Sequence, residues 1–258
     1  MKLFKTIIVA GILGAFAVLV SALVGKFAVA RAAADCTLST ADVGQIAAVQ
    51  SDSSLSSLDE VKAELAIRKQ LITKVITCGK GDADALRATL EKTPATGDTA
   101  TMKAQLLTKF DDAENFYDIE LAKLDGVGIA GSQAIAKELL AWRVSSYIPL
   151  SGEVNNFILW GSNQNLFTTA TTRMNETNRA VAFLESVSNN ADLESALADA
   201  QTSFANAQAK NAEAKAALAE FLPPDQSLAA VKDSLAALSD TYQKFSRVSD
   251  LIKAILPQ

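Results

Sequence analysis

From Leu193 onward the apolar positions of the chain step by four and three. They run Leu193, Leu197, Ala200, Phe204, Ala207, Asn211, Ala214, Leu218 and Phe221. A "PPD" break at 223–225 follows, and the rhythm resumes through Leu228, Val231, Leu235, Leu238, Tyr242, Phe245, Ser249, Ile252 and Leu256. Such spacing keeps one stripe of a helix facing a partner over many turns. Two stripes joined by a tight Pro-Pro turn predict an antiparallel, coiled-coil-like helical hairpin, each arm roughly 45 Å long at about 1.5 Å per residue. Asn211 and Ser249 are polar positions within the stripes, and a polar seam residue commonly sets helix register.

The rest of the chain agrees with an all-α fold. Glycine and proline are scarce, at 12 and 5 of 258 residues, and no alternating β-type run appears. Ser39 or Thr40 caps a short helix to about Gln50. Ser57-Leu58-Asp59-Glu60 reads as a capping box opening a second helix, which "GKG" at 79–81 ends. A short helix at about 82–92 leads to the loop "TPATGD". Asp98 then caps a long helix with Met102, Leu106, Phe110, Tyr117, Leu121 and Leu124 on one face. "DGVGIAGS" breaks it, and Ser132 restarts a helix. The predicted architecture is an elongated antiparallel helical bundle in three parts: a signal or anchor helix over 1–34, a small disulfide-stapled region over 35–95, and a long-helix bundle over 96–258.

The N-terminus carries the clearest statement about location. Lys2 and Lys5 precede an uncharged run from Thr6 to Gly25, and small-residue pairs follow at Ala28/Ala30, Ala30/Ala32 and Ala32/Ala34. This is the layout of an export signal with A-x-A cleavage options. The run also approaches the roughly 20 residues of a membrane anchor. In either case the remaining chain works outside the cytoplasm, secreted or held at the membrane by residues 1–34. Asp35 before Cys36 argues against lipidation, which needs a small residue there. Cleavage after Ala34 would remove four basic residues and take the net charge from −5 to −9. An acidic surface repels phosphate backbones, so nucleic acid is not an expected partner. Cys36 and Cys78, an even pair in an exported chain, predict a disulfide.

Chemical signatures are sparse. The chain has no histidine, which removes the commonest general base and metal ligand. "GVGIAG" at 126–131 follows a helix and lacks the Lys-Ser/Thr ending of a phosphate loop, so it reads as a helix-helix turn. Asp111, Asp112, Glu114, Asp118 and Glu120 gather carboxylates, with Asp111, Glu114 and Asp118 on one stripe that reads as a solvated face. No catalytic residue, metal site or cofactor is expected.

"LLAWRVSSYIPLSGEVNNFILW", residues 139–160, holds both tryptophans and a proline within helical sequence. Pro149 cannot donate to the carbonyl of Ser145, so the helix either kinks and continues to about Ser188 or ends near Tyr147 and restarts. If it continues, Trp142 and Trp160 are five turns apart, about 27 Å, on the same side. Trp142, Arg143, Tyr147, Phe157 and Trp160 are the candidate interface or pocket residues. They suit a bundle centre, and equally a docking surface.

"FYDIELAKL", this stretch and "GSNQNLFTTATTRM" after it resemble a pattern in exported helical proteins of candidate-phylum bacteria with small genomes. The likeness spans about 116–174 and implies an exported helical bundle, with no activity attached. The expected function is structural, scaffolding or adhesive, through a protein partner or self-association. The alternatives are a bundle binding an apolar ligand or lipid in a cavity lined by Trp142, Tyr147, Phe157 and Trp160, and, more remotely, a helical pore-forming toxin.

Overall fold

The computed structural model describes Cys36, residues 38–186 and residues 190–255. The signal or anchor reading of 1–34 and the seam position Leu256 lie outside the described residues. Among the described residues the regular structure is entirely helical. The helices are α1 (Thr40–Gln50), α2 (Ser57–Lys92), α3 (Asp98–Lys123), α4 (Ile129–Trp142), α5 (Ile148–Glu185), α6 (Ala191–Ala219) and α7 (Pro224–Ile255). A 3-10 turn, Leu124–Gly126, follows α3, and a π-helical turn, Arg143–Tyr147, joins α4 to α5. Among the described residues no helix is long and apolar enough to cross a membrane.

The chain divides into two compact units between Ile158 and Leu159, inside α5. The sequence predicts a boundary near residue 95. In the structure the stapled region and the helices that follow it share one unit, because α2 runs on and packs along α3.

In the first unit α1 is capped by Ser39, whose side chain accepts from Asp42 N–H while Asp42 accepts from the Ser39 backbone. The cap of α2 is Ser56, with Asp59 at the third position, one residue earlier than the predicted box. The predicted break at 79–81 does not occur: α2 is one helix of 36 residues. Glycine weakens a helix by about 1 kcal/mol relative to alanine but does not stop one that is packed on both sides. Gly79 serves a close approach: a Cβ there would lie 2.6 Å from Cζ of Tyr117 on α3 and closer still to its hydroxyl. The Cys36–Cys78 disulfide forms, with Cα atoms 5.7 Å apart, and so ties the segment just before α1 to the middle of α2 rather than to its end. It closes a loop of 42 residues' separation, which in the chain-entropy account stabilises by about 4 kcal/mol.

α2 and α3 run antiparallel, linked by Lys80–Asp118 (2.5 Å), Arg87–Asp111 (2.5 Å) and Arg87–Glu114 (3.3 Å). The solvated acidic stripe is therefore paired with cations of α2. Exposed pairs of this kind contribute at most about 1 kcal/mol each. Glu120 departs from the reading: it is 1% exposed, pairs with Lys123 through Oε1, and Oε2 has no hydrogen-bond partner among the described residues. Leu121, expected inside, is 37% exposed, and Ala113 and Glu120 occupy the face instead. α4 begins at Ile129, before the predicted Ser132, which lies inside the helix and donates to Ile129 O.

In the second unit the remainder of α5 packs with α6 and α7. Phe167, Met174 and Val181 of α5 meet Leu193, Ala200, Phe204 and Ala207 of α6 and Leu238, Tyr242, Phe245 and Ile252 of α7. α6 and α7 form an antiparallel hairpin: Ser203 donates to Asp240 (2.6 Å) and lies 3.1 Å from the Thr241 hydroxyl, and Arg247 pairs with Asp199 (3.5 Å). Pro224 stands first in α7, where its missing N–H costs nothing. The seam differs in detail from the sequence reading. Leu197, Leu228 and Leu235 are only partly buried, whereas Ala196, Ser203, Ser227, Ser234, Thr241 and Val248 are buried. The innermost stripe is the small one, because small side chains let two helix axes approach closely.

Candidate functional site

The site begins with the consequence of Pro149. Having no N–H, it leaves the α-helical bond to Ser145 unmade. The helix absorbs the defect by widening one turn: Ile148 N–H donates five residues back, to Arg143 O. The helix therefore continues, the first of the two predicted outcomes, but ends at Glu185. A π turn shifts the residues that follow around the axis, and such turns often mark functional positions.

Here the widened turn sends Tyr147 fully inside, where its hydroxyl donates to Asp82 Oδ2 of α2 (2.8 Å). Arg143, four residues earlier, donates from Nη1 to the Tyr117 hydroxyl (3.5 Å). Its Nη2 lies 3.9 Å from Asp82 Oδ2, and its guanidinium sits 5.2 Å from the centre of the Tyr147 ring. Trp142 is half-buried. It stacks on Phe116 with centroids 4.2 Å apart, and meets Tyr117 edge-on at 5.2 Å and Tyr147 at 6.1 Å. Four aromatic rings, one guanidinium and one carboxylate thus close on one another beside the Cys36–Cys78 staple, with Gly79 making room for Tyr117.

The electrostatics follow from burial. Tyr147 is held well above the ordinary phenol range by burial first and by the Asp82 carboxylate second. Burial also raises Tyr117, against a smaller opposing pull from Arg143. Both phenols stay protonated at neutral pH and act as donors or packing surface. Among the described residues no group of three or more cysteine or carboxylate side chains is placed to hold a metal ion.

Of the five residues singled out from sequence, Trp142, Arg143 and Tyr147 come together here. Phe157 is buried in the same unit, near its end. Trp160 belongs to the second unit, where its indole N–H donates to Asn211 Oδ1 (2.8 Å). Sequence reasoning missed Phe116, Gly79 and Asp82. Gly79 lies in the stretch read as a helix break, so the cue that marked it as a turn glycine also hid its role, while Asp82 was assigned to a separate short helix that is in fact part of α2. The outer side of the same segment carries Leu140, Val144 and Ile148, exposed at 65%, 58% and 46%. They follow one another at intervals of four and flank the polar Ser145 and Ser146.

No protein-family model, curated protein or solved structure matches the chain.

Proposed function

We propose that this is an exported helical-bundle protein, envelope-associated or secreted, that acts through protein–protein contact as a scaffold or adhesive component. The observation that carries the reading is the apolar row Leu140, Val144 and Ile148, exposed on a segment whose inner side is already filled by Trp142, Tyr147 and their partners. Apolar side chains repeated on one helical side are a common feature of protein contact surfaces. The leader-like N-terminus and the Cys36–Cys78 disulfide support work in an oxidising compartment. The α6–α7 arms, long, antiparallel and coiled-coil-like, suit a structural component better than an enzyme. Contact with the membrane, if residues 1–34 are retained, would come through them.

A photo-reactive phenylalanine analogue at position 144 of the full chain, illuminated in exporting cells, tests the reading. A discrete adduct that disappears when Leu140 and Ile148 become aspartate is expected. Recovery of the uncrosslinked chain alone would count against it.

A further inference from the structure

The core of the second unit is nearly indifferent to a shift of one heptad. On α6 the small positions Ala200, Ala207 and Ala214 recur every seven residues, and on α7 Ser227, Ser234, Thr241 and Val248 do the same. On α5 Trp160, Phe167, Met174 and Val181 share one heptad position. Size and hydrophobicity therefore discriminate poorly between the observed arrangement and one slipped by two turns, or one in which the hairpin of another copy covers the seam in place of α5.

One layer that joins α5 to both arms of the hairpin does not repeat. Asn211 Oδ1 of α6 accepts from Trp160 Nε1 (2.8 Å) and Gln164 Nε2 (3.2 Å), both on α5, and from Ser234 Oγ of α7 (3.4 Å). Asn211 Nδ2 donates in return to Gln164 Oε1 (3.0 Å). Gln164 is itself anchored by a bond from Nε2 to Trp160 O (2.9 Å). All three helices of the unit meet in this layer. Shifted by seven, the Trp160 indole N–H would face Phe204 or Leu218, neither of which offers a side-chain acceptor, and Asn211 would face Phe167 and Thr171 or Phe157 and Glu153. An unpaired buried donor costs more than the bond contributes when made, so the layer penalises the alternatives more than it stabilises the observed fold.

We infer that the Asn211 layer is the selectivity device of this unit: it admits α5 as the third helix, in one register, and excludes the hairpin of a second copy. The test uses the full chain with its native disulfide and a reporter pair, Asn178→Cys with Gln201→Cys, whose native side chains hydrogen-bond at 3.0 Å between α5 and α6. A short dithiol cross-linker then reads the pairing. Replacing the layer by apolar residues (Trp160→Phe, Gln164→Leu and Asn211→Leu together) should keep the helicity. The ratio of intermolecular to intramolecular adduct should rise about fivefold or more, the factor that corresponds to about 1 kcal/mol of lost preference. A second variant moves the layer one heptad by exchanging residues 160 with 167, 164 with 171 and 211 with 204. It should restore the parent ratio. An unchanged ratio in the apolar variant overturns the inference, and so does failure of the transplanted layer to restore it.

Discussion

Two glycines two residues apart on α2 should respond in opposite directions to the same substitution. At Gly81 an added Cβ meets nothing within 4 Å. Gly81→Ala therefore gains the helix-propensity difference, about 0.5–1 kcal/mol of stabilisation. At Gly79 the Cβ would stand 2.6 Å from Cζ and 3.0 Å from Cε1 of Tyr117. Tyr117 has no room to retreat: it is 2% exposed, with Trp142 at 5.2 Å, Phe116 at 6.0 Å and Tyr147 at 6.5 Å between ring centres. Forcing volume into such a core costs about 1–3 kcal/mol and sometimes more. Set against the propensity gain, the net effect of Gly79→Ala is a loss of about 1–2 kcal/mol, or roughly 2–8 °C in Tm for a chain of this size. Urea unfolding followed by far-ultraviolet circular dichroism gives both free energies. Tryptophan fluorescence should change only in the Gly79 variant, because Trp142 touches the ring that must move. Shifts of the same sign in the two variants would refute the close-approach account of Gly79.

Three further outcomes follow from the same geometry. Cys36→Ser with Cys78→Ser should lower stability by about 4 kcal/mol in urea titration if the staple acts by restricting the unfolded chain; an unchanged midpoint contradicts this. Asp42 is held down at about 2, by Lys74 first and Ser39 second, and Glu64 is lowered by Gln50 and then Arg68. Both carboxylates tie α1 to α2, and a depressed folded value means stability that is present above the ordinary carboxylate range and lost as pH falls. Tm should therefore decline from about pH 5 to about pH 2, and the decline should be shallower in Asp42→Asn with Glu64→Gln; identical profiles would contradict the assignment. Tyr117, Tyr147 and Tyr242 are all raised by burial, so their contribution is full below pH 10 and is lost as pH rises further. Tyrosinate absorbance should appear together with loss of helicity, and a phenol titrating near 10.0 in a fully helical chain would contradict the packing.

What was legible in the sequence divides along physical lines. Local chemistry was readable: the Ser39 cap, the end of α1 at Gln50, the Pro-Pro turn and the cysteine pair all depend on neighbours within a few residues or on a count. Long-range packing was not. The "GKG" stretch has the local appearance of a helix end, and only the ring of Tyr117, 38 residues on, explains a glycine there. The hairpin and its buried alanines Ala200, Ala207 and Ala214 were visible, but Leu197 and Leu235 were placed in the seam ahead of Ala196 and Ser234, because a hydrophobicity pattern counts the larger residues higher. Closest approach favours the reverse. In the aromatic stretch, proline predicted a weakened turn correctly, yet the π geometry that turns Tyr147 toward Asp82 depends on a carboxylate 65 residues earlier. Trp142 and Trp160, singled out together from the sequence, have separate partners, Phe116 for the first and Asn211 for the second.

The claim at the centre of this account is that the chain works outside the cytoplasm as a disulfide-stapled bundle. The most direct measurement is the intact mass of the protein recovered from separated cytoplasmic, membrane and external fractions of an exporting host, with and without thiol alkylation. The account predicts protein in the external or membrane fraction, starting near Asp35 or retaining residues 1–34 as an anchor, and taking up no alkylating agent. Full-length chain in the cytoplasmic fraction, alkylated at both Cys36 and Cys78, would contradict it.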